Sequence, residues 1–120
     1  MLSMEVKLRV ADPAGNITIF VTSPVERNLY AKVANELLAV KEFRGEQVGF
    51  IERREDGSSH MEMMGGEFCG NATRSFGYLL GKEQEPKDAY KKTVTVDVSG
   101  SSEKLDVEVD YEAGTSKTMM

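Results

Sequence analysis

Polar and apolar positions alternate along Glu5-Val6-Lys7-Leu8-Arg9-Val10, the pattern of a strand with one buried face. The next residues, Asp12-Pro13-Ala14-Gly15-Asn16, are dense turn chemistry. The β-branched run Ile17-Thr18-Ile19-Phe20-Val21 returns as a second strand, so the chain is expected to open on a hairpin. Ser23-Pro24-Val25-Glu26 offers a capping side chain, a proline suited to a first turn and an acid, which together predict a helix start. Leu29, Val33, Leu37 and Val40 follow at helical spacing as its buried stripe. Gln47-Val48-Gly49-Phe50-Ile51-Glu52 reads as a third strand, Asp56-Gly57 as a tight turn, and His60-Met61-Glu62-Met63-Met64 as the strand that pairs back. His60 is expected at the surface, and the methionines in the core or a pocket wall.

A second helix is predicted to open from Gly65-Gly66-Glu67-Phe68-Cys69-Gly70-Asn71-Ala72-Thr73-Arg74. Phe76, Leu79 and Leu80 make it apolar, while Ala72, Ser75 and Gly77 keep it slim, so it is expected to be central rather than superficial. Its end is placed at Gly81, before a polar loop over residues 82–91 that contains Pro86. Strict alternation over residues 93–100 and 105–111 predicts a last hairpin, and residues 115–120 have the beginning of a further strand. The order ββ-α-ββ-α-ββ places the chain in the α+β class, with a mixed β-sheet curled into a barrel-like half-shell around the slim second helix as a central helix.

At 120 residues and 40% apolar content the chain has the material for a single domain with one core, residues 1–120. The net charge of -5 and the absence of a basic cluster exclude nucleic acid and anionic membrane as expected partners. The apolar runs are too short to span a bilayer, and residues 1–7 lack the pattern of a secretory leader. One cysteine gives no internal disulfide and fits a reducing cytoplasm. One histidine and one cysteine form no metal-ligand spacing, so no metal is expected.

Candidate chemistry centres on Cys69, where a glycine-rich turn runs into the helical pattern. A helix N-terminus carries partial positive charge that favours a thiolate, and its first N–H groups are a ready seat for a carboxylate. Gly70 permits close approach to that backbone, and Asn71 brings a side-chain amide beside the thiol. The competing reading of a lone cysteine is a small buried hydrophobe, and the local residues leave both readings open. No histidine adjoins it in sequence, which leaves papain-like acyl transfer poorly supported. Gly15-Asn16 reads locally as ordinary turn chemistry, and Glu46-Gln47 as a solvated strand entry.

The segment Glu67-Phe68-Cys69-Gly70-Asn71-Ala72-Thr73-Arg74 resembles the Cys-Gly-Asn-Gly-x-Arg signature of the diaminopimelate epimerase family of cofactor-independent amino-acid racemases. Pro13-Ala14-Gly15-Asn16-Ile17 is similar to that family's N-terminal Gly-Asn-Asp-Phe turn, and Glu46-Gln47 stands at its Asp-Gln pair. A closer likeness, to the histidine racemases of staphylopine-type metallophore biosynthesis, runs through residues 13–19, 30–35, 46–52 and 67–73. The resemblance implies one domain of the diaminopimelate epimerase-like fold and a two-base mechanism. One thiolate removes the α-proton of an amino acid, and a thiol on the opposite face returns one, without pyridoxal phosphate or another cofactor. It implies Cys69 as one acid/base, Gly70 and Asn71 as carboxylate binders, Asn16 and Gln47 as pocket lining, and Glu46 as reader of a polar or cationic side chain.

Two departures qualify that implication. Met63-Met64-Gly65-Gly66 stands where the family carries Asn-x-Asp-Gly, which points away from the epimerase's own substrate. Members of the family have two similar domains with one cysteine each, whereas this chain matches the first and has no second cysteine. It is therefore expected to be the N-terminal half of a two-domain enzyme, inactive alone, with a C-terminal domain or a second copy of itself as partner and a small amino acid as substrate. The alternatives are a homodimeric isomerase with a composite site and a non-catalytic module that binds a small carboxylate. Phenazine-biosynthesis-type isomerases of related fold use an acid in place of the thiol, so Cys69 argues against that chemistry.

Overall fold

In a computed structural model that describes residues 7–11, 17–84 and 88–119, these patterns resolve into seven strands and two α-helices. They follow in the order β1 (Leu8–Ala11), β2 (Thr18–Val21), α1 (Tyr30–Leu38), β3 (Gln47–Arg53), β4 (Ser59–Met63), α2 (Gly70–Glu83), β5 (Lys91–Val98), β6 (Leu105–Asp110) and β7 (Thr115–Met119). The strands lie across one mixed sheet in chain order. Neighbours run antiparallel except β2 with β3 and β4 with β5, which are parallel. Each parallel step is bridged by a helix, because a tight turn cannot return the chain in the same direction.

The α+β expectation holds, with a strand more than the six of the expected order: residues 115–119 form β7, paired to β6 at five positions. The mixed sheet does not close into a barrel. Strands β1 and β7 are the two edges of an open sheet and do not pair with each other. Helix α2 lies against β5, β6 and β7 and also touches β2, so the sheet bends around it without closing.

Two boundaries differ from the sequence reading. Helix α1 starts at Tyr30 after a short 3-10 turn over Arg27–Leu29, not at Ser23. The Ser23 hydroxyl is already used, accepting the Lys7 N–H at 3.0 Å, so it anchors the hairpin instead of capping a helix. Helix α2 continues through Gly81 to Glu83. Gly81 lies directly under the Tyr111 hydroxyl and Val94, where a Cβ would collide. The Lys92 ammonium donates to the carbonyls of Gly81 and Gln84 at 2.5 and 2.6 Å, satisfying the end of the helix.

The sheet carries apolar residues on both faces. On one, Phe20, Met61, Met63, Val94, Val96, Val98, Val107 and Val109 pack with Ala72 and Phe76 of α2. On the other, Ile19, Val21, Val48 and Phe50 pack with Tyr30, Val33, Ala34 and Leu37 of α1. Strand β2 is buried at every residue, the signature of a strand covered on both sides. Gly77 brings α2 close to the sheet, with an added Cβ only 2.6 Å from the Cβ of Val107.

His60 is buried, not at the surface. Alternation on β4 sends Met61 and Met63 to the α2 core and leaves His60 and Glu62 on the opposite face. There His60 Nε2 lies 2.7 Å from Glu62, and Nδ1 lies 3.3 Å from Asp97, its register partner on β5. Arg54 in turn pairs with Asp97.

Candidate active site

Several chain segments meet at one end of the sheet. Strands β2 and β3 begin there, at Thr18 and Gln47, which are register partners. Strands β4 and β5 end there, and α2 begins there. Between β4 and α2 the chain crosses this end as a loop over residues 64–69. Met64 N–H donates to the Val48 carbonyl at 3.1 Å, and Gly66 N–H closes a turn on Met63 at 2.9 Å. Gly66 has φ +74, a conformation glycine adopts without cost.

Two residues just after β5 fix the far side of this loop. Ser99 is buried, and its hydroxyl accepts the Met63 N–H at 2.9 Å while donating to the Glu67 carbonyl at 2.7 Å. Gly100, at φ +78, lies flat against Phe68, where an added Cβ would fall on the Phe68 backbone nitrogen and 2.6 Å from its Cβ. The approach to Cys69 is thus set by backbone packing from a strand 30 residues downstream in sequence.

Cys69 is the N-cap residue of α2, with extended backbone (φ -132, ψ 113) and no side-chain capping bond. Its carbonyl accepts from both the N–H and the hydroxyl of Thr73, at 2.9 and 2.8 Å, which seats the first turn. Its half-buried thiol donates to Gln47 Oε1 at 3.2 Å, and Gln47 Nε2 donates to the Thr18 hydroxyl at 2.6 Å. The thiol therefore ends a hydrogen-bonded row, Thr18–Gln47–Cys69, across β2, β3 and α2. Arg74 holds the Asn71 carbonyl oxygen from the next turn, which leaves the Asn71 NH2 group as its free end. A Cβ at Gly70 would meet nothing closer than 4.0 Å, so the space over the helix N-terminus is open.

Of the residues singled out in the sequence, the fold brings Gln47, Cys69, Gly70 and Asn71 together. Glu46 is exposed beside them, its backbone N–H donating to the Ile17 carbonyl at 2.9 Å. Asn16 lies outside the described residues. Thr18 and Ser99 join the site unannounced. Their roles depend on strand register and on contacts over 29 and 36 residues of chain, and the only local sign was a polar residue inside an apolar strand. A cleft of about 660 Å³ lies elsewhere, with Lys91, Glu108, Asp110 and Lys117 of β5, β6 and β7 in its lining. Its lining carries amines, hydroxyls and carboxylates but no thiol, so the chemistry of Cys69 outweighs its size as a guide to function. Among the described residues no helix is long and apolar enough to cross a membrane.

Comparison with known proteins identifies relatives of this chain. Residues 5–119 match the family described as histidine racemase CntK N-terminal domain. A histidine racemase of Fusobacterium nucleatum is 39% identical over 95% of this chain, which spans 43% of that protein. A histidine racemase of Staphylococcus aureus is 44% identical over 77% of this chain and 34% of its own length. The chain thus spans less than half the length of these relatives.

Proposed function

The chain belongs to the family of histidine racemase N-terminal domains, and from that premise we propose that it supplies one half of a cofactor-independent amino-acid racemase of diaminopimelate epimerase-like fold. Histidine, or another polar amino acid, is the substrate class, and a reducing cytoplasm is its setting. In this reading Cys69, as thiolate, takes the α-proton: an S–H bond forms, the Cα–H bond breaks, and the electron pair remains on Cα. The charge spreads into the α-carboxylate, which sits on the N–H groups of Gly70 and Asn71, where the helix end stabilises it most as it develops. Asn16 and Gln47 line the pocket, and Glu46 faces a polar or cationic side chain. A group from a second domain returns a proton on the opposite face, with no pyridoxal phosphate or metal taking part.

The observation that carries this reading is the thiol of Cys69, hydrogen-bonded to Gln47 at 3.2 Å, at a helix N-terminus with open space over Gly70. One thiol cannot both remove and return a proton on opposite faces of a carbon. The chain alone is therefore expected to give no racemisation of L-histidine in deuterated water, read by α-proton exchange and chiral chromatography. Joined to the remaining part of the Fusobacterium nucleatum relative, it is expected to racemise histidine, and Cys69→Ala in that chimera to abolish it. A folded chimera that turns over nothing, or one that keeps its rate without Cys69, overturns the proposal. Inversion by the isolated chain at a rate rising with the square of its concentration identifies a composite site from two copies instead.

A further inference from the structure

A proton-transfer thiol passes through two states that make opposite demands on the group beside it. As a thiol it donates, and Gln47 Oε1 accepts at 3.2 Å. As a thiolate it needs a donor, and the same carbonyl oxygen becomes a repulsive neighbour. The two ends of a glutamine amide exchange places on a half-turn about its last torsion, which is soft. Whether that half-turn is available depends on what holds the far end of the amide. Here it is the hydroxyl of Thr18, a residue with 0% exposure, which accepts from Gln47 Nε2 at 2.6 Å. A hydroxyl both accepts and donates, and among the described residues the Thr18 proton has no acceptor of its own. Among the described residues it is a buried donor left unused in the thiol state.

We propose that Gln47 and Thr18 form a reversible amide switch that follows the ionisation of Cys69. In the thiol state the bonds run from sulfur to Oε1 and from Nε2 to the Thr18 oxygen. In the thiolate state the amide has turned over: Nε2 donates to the sulfur, and the Thr18 hydroxyl donates to Oε1. Two hydrogen bonds exist in each state, so the site moves between acid and base without losing one. Thr18 is a positioning residue here, acting through Gln47. Among the described residues, the other ionisable groups of the surrounding segments are engaged or exposed. Glu67 accepts from the Gly65 N–H at 3.1 Å, Arg74 holds Asn71, and Glu46 faces solvent.

The inference rests on the reading of Cys69 as an acid/base, but its test reads the thiol directly and needs no turnover. The chain has one cysteine, so thiolate absorbance near 240 nm, corrected for the four tyrosines by their separate longer-wavelength tyrosinate band, reports on Cys69. Gln47→Leu removes the turned-over donor, and the midpoint of the absorbance titration is expected to rise by about one pH unit, the size of one charge-assisted hydrogen bond. A fixed amide with its oxygen on the sulfur predicts the opposite sign, so a fall, or no change, overturns the switch. A second measurement uses the unmodified chain. On ionisation of Cys69 the NMR signals of the Gln47 side-chain amide and the Thr18 hydroxyl proton are expected to move downfield with the same midpoint as the absorbance. An unmoved Gln47 amide refutes the turnover, and an unmoved Thr18 hydroxyl refutes its share in it.

Discussion

At the scale of single residues, two glycines with positive φ separate backbone freedom from packing. Gly57 (φ +88) has nothing within 4 Å of an added Cβ, whereas Gly100 (φ +78) is pressed against Phe68. Gly57→Ala is expected to cost only the left-handed conformation, about 1–2 kcal/mol. Gly100→Ala adds a backbone collision, so its loss should exceed that of Gly57→Ala in urea denaturation and should change the alkylation rate of Cys69, which Gly57→Ala leaves alone. Ser99→Ala strips the Met63 N–H and the Glu67 carbonyl of their partner and is expected to cost about 1–3 kcal/mol. Cys69, Gly70 and Asn71 were legible as candidates because they are neighbouring letters at a helix start, whereas Gln47 read locally as a solvated strand entry and became a candidate only through the family resemblance. Thr18, Ser99 and His60 were not legible, since each takes its meaning from a strand far away in the chain. His60 looked like a surface residue until Asp97 of β5 was placed beside it.

At the scale of elements, alternation identified the strands well, but the first helix was placed too early because a serine and a proline look the same whether they cap a helix or end a strand. Besides the apolar face that packs on the sheet, α1 is fastened by a polar contact at its start. Arg27 donates to Glu52 through two bonds of 2.9 and 2.8 Å, the Tyr30 hydroxyl donates to the same carboxylate at 2.5 Å, and the Tyr30 ring stacks on Phe50 at 3.8 Å. The bonds from Arg27 hold Glu52 below the usual carboxylate range, aided by Tyr30 and opposed by burial. Burial and the bond to Glu52 push Tyr30 well above the ordinary tyrosine range. A depressed carboxyl stabilises the fold above its unfolded value near pH 4.3, and that contribution is lost as pH falls through the folded value. A raised tyrosine stabilises fully below about pH 10, and that contribution is lost as pH climbs toward its folded value. Stability measured against pH should therefore fall at both extremes, with Glu52→Gln flattening the acid limb and Tyr30→Phe the alkaline one. Arg27 is 63% exposed, so the acid effect should stay within about 1 kcal/mol. For α2 the controlling fact is its close approach at Gly77. Gly77→Ala is expected to cost about 1–3 kcal/mol by overpacking against Val107, and Val107→Ala in the same chain to recover part of it, checked by a double-mutant cycle.

At the scale of the whole molecule, the sequence predicted the class but not the closure, because whether a sheet's edges meet is decided by twist and by what fills its concave side, neither of which is written in any local pattern. One feature of the open sheet reaches further. Strands β4 and β5 share two register pairs, His60 with Asp97 and Met61 with Val98, against six between β5 and β6. Amides in this narrow pairing are expected to exchange with deuterium through smaller openings than those between β5 and β6, as native-state exchange would reveal. On one side of that line stand Gln47 and Thr18; on the other stand Ser99 and Gly100, which hold the loop to Cys69. The thiol and the amide beside it are thus mounted on opposite banks of the sheet's weakest joint, and a slight yaw of one bank against the other would lengthen the 3.2 Å contact between them. A joint of this kind lets a distant push reach the sulfur as a change in geometry, without altering any residue around it.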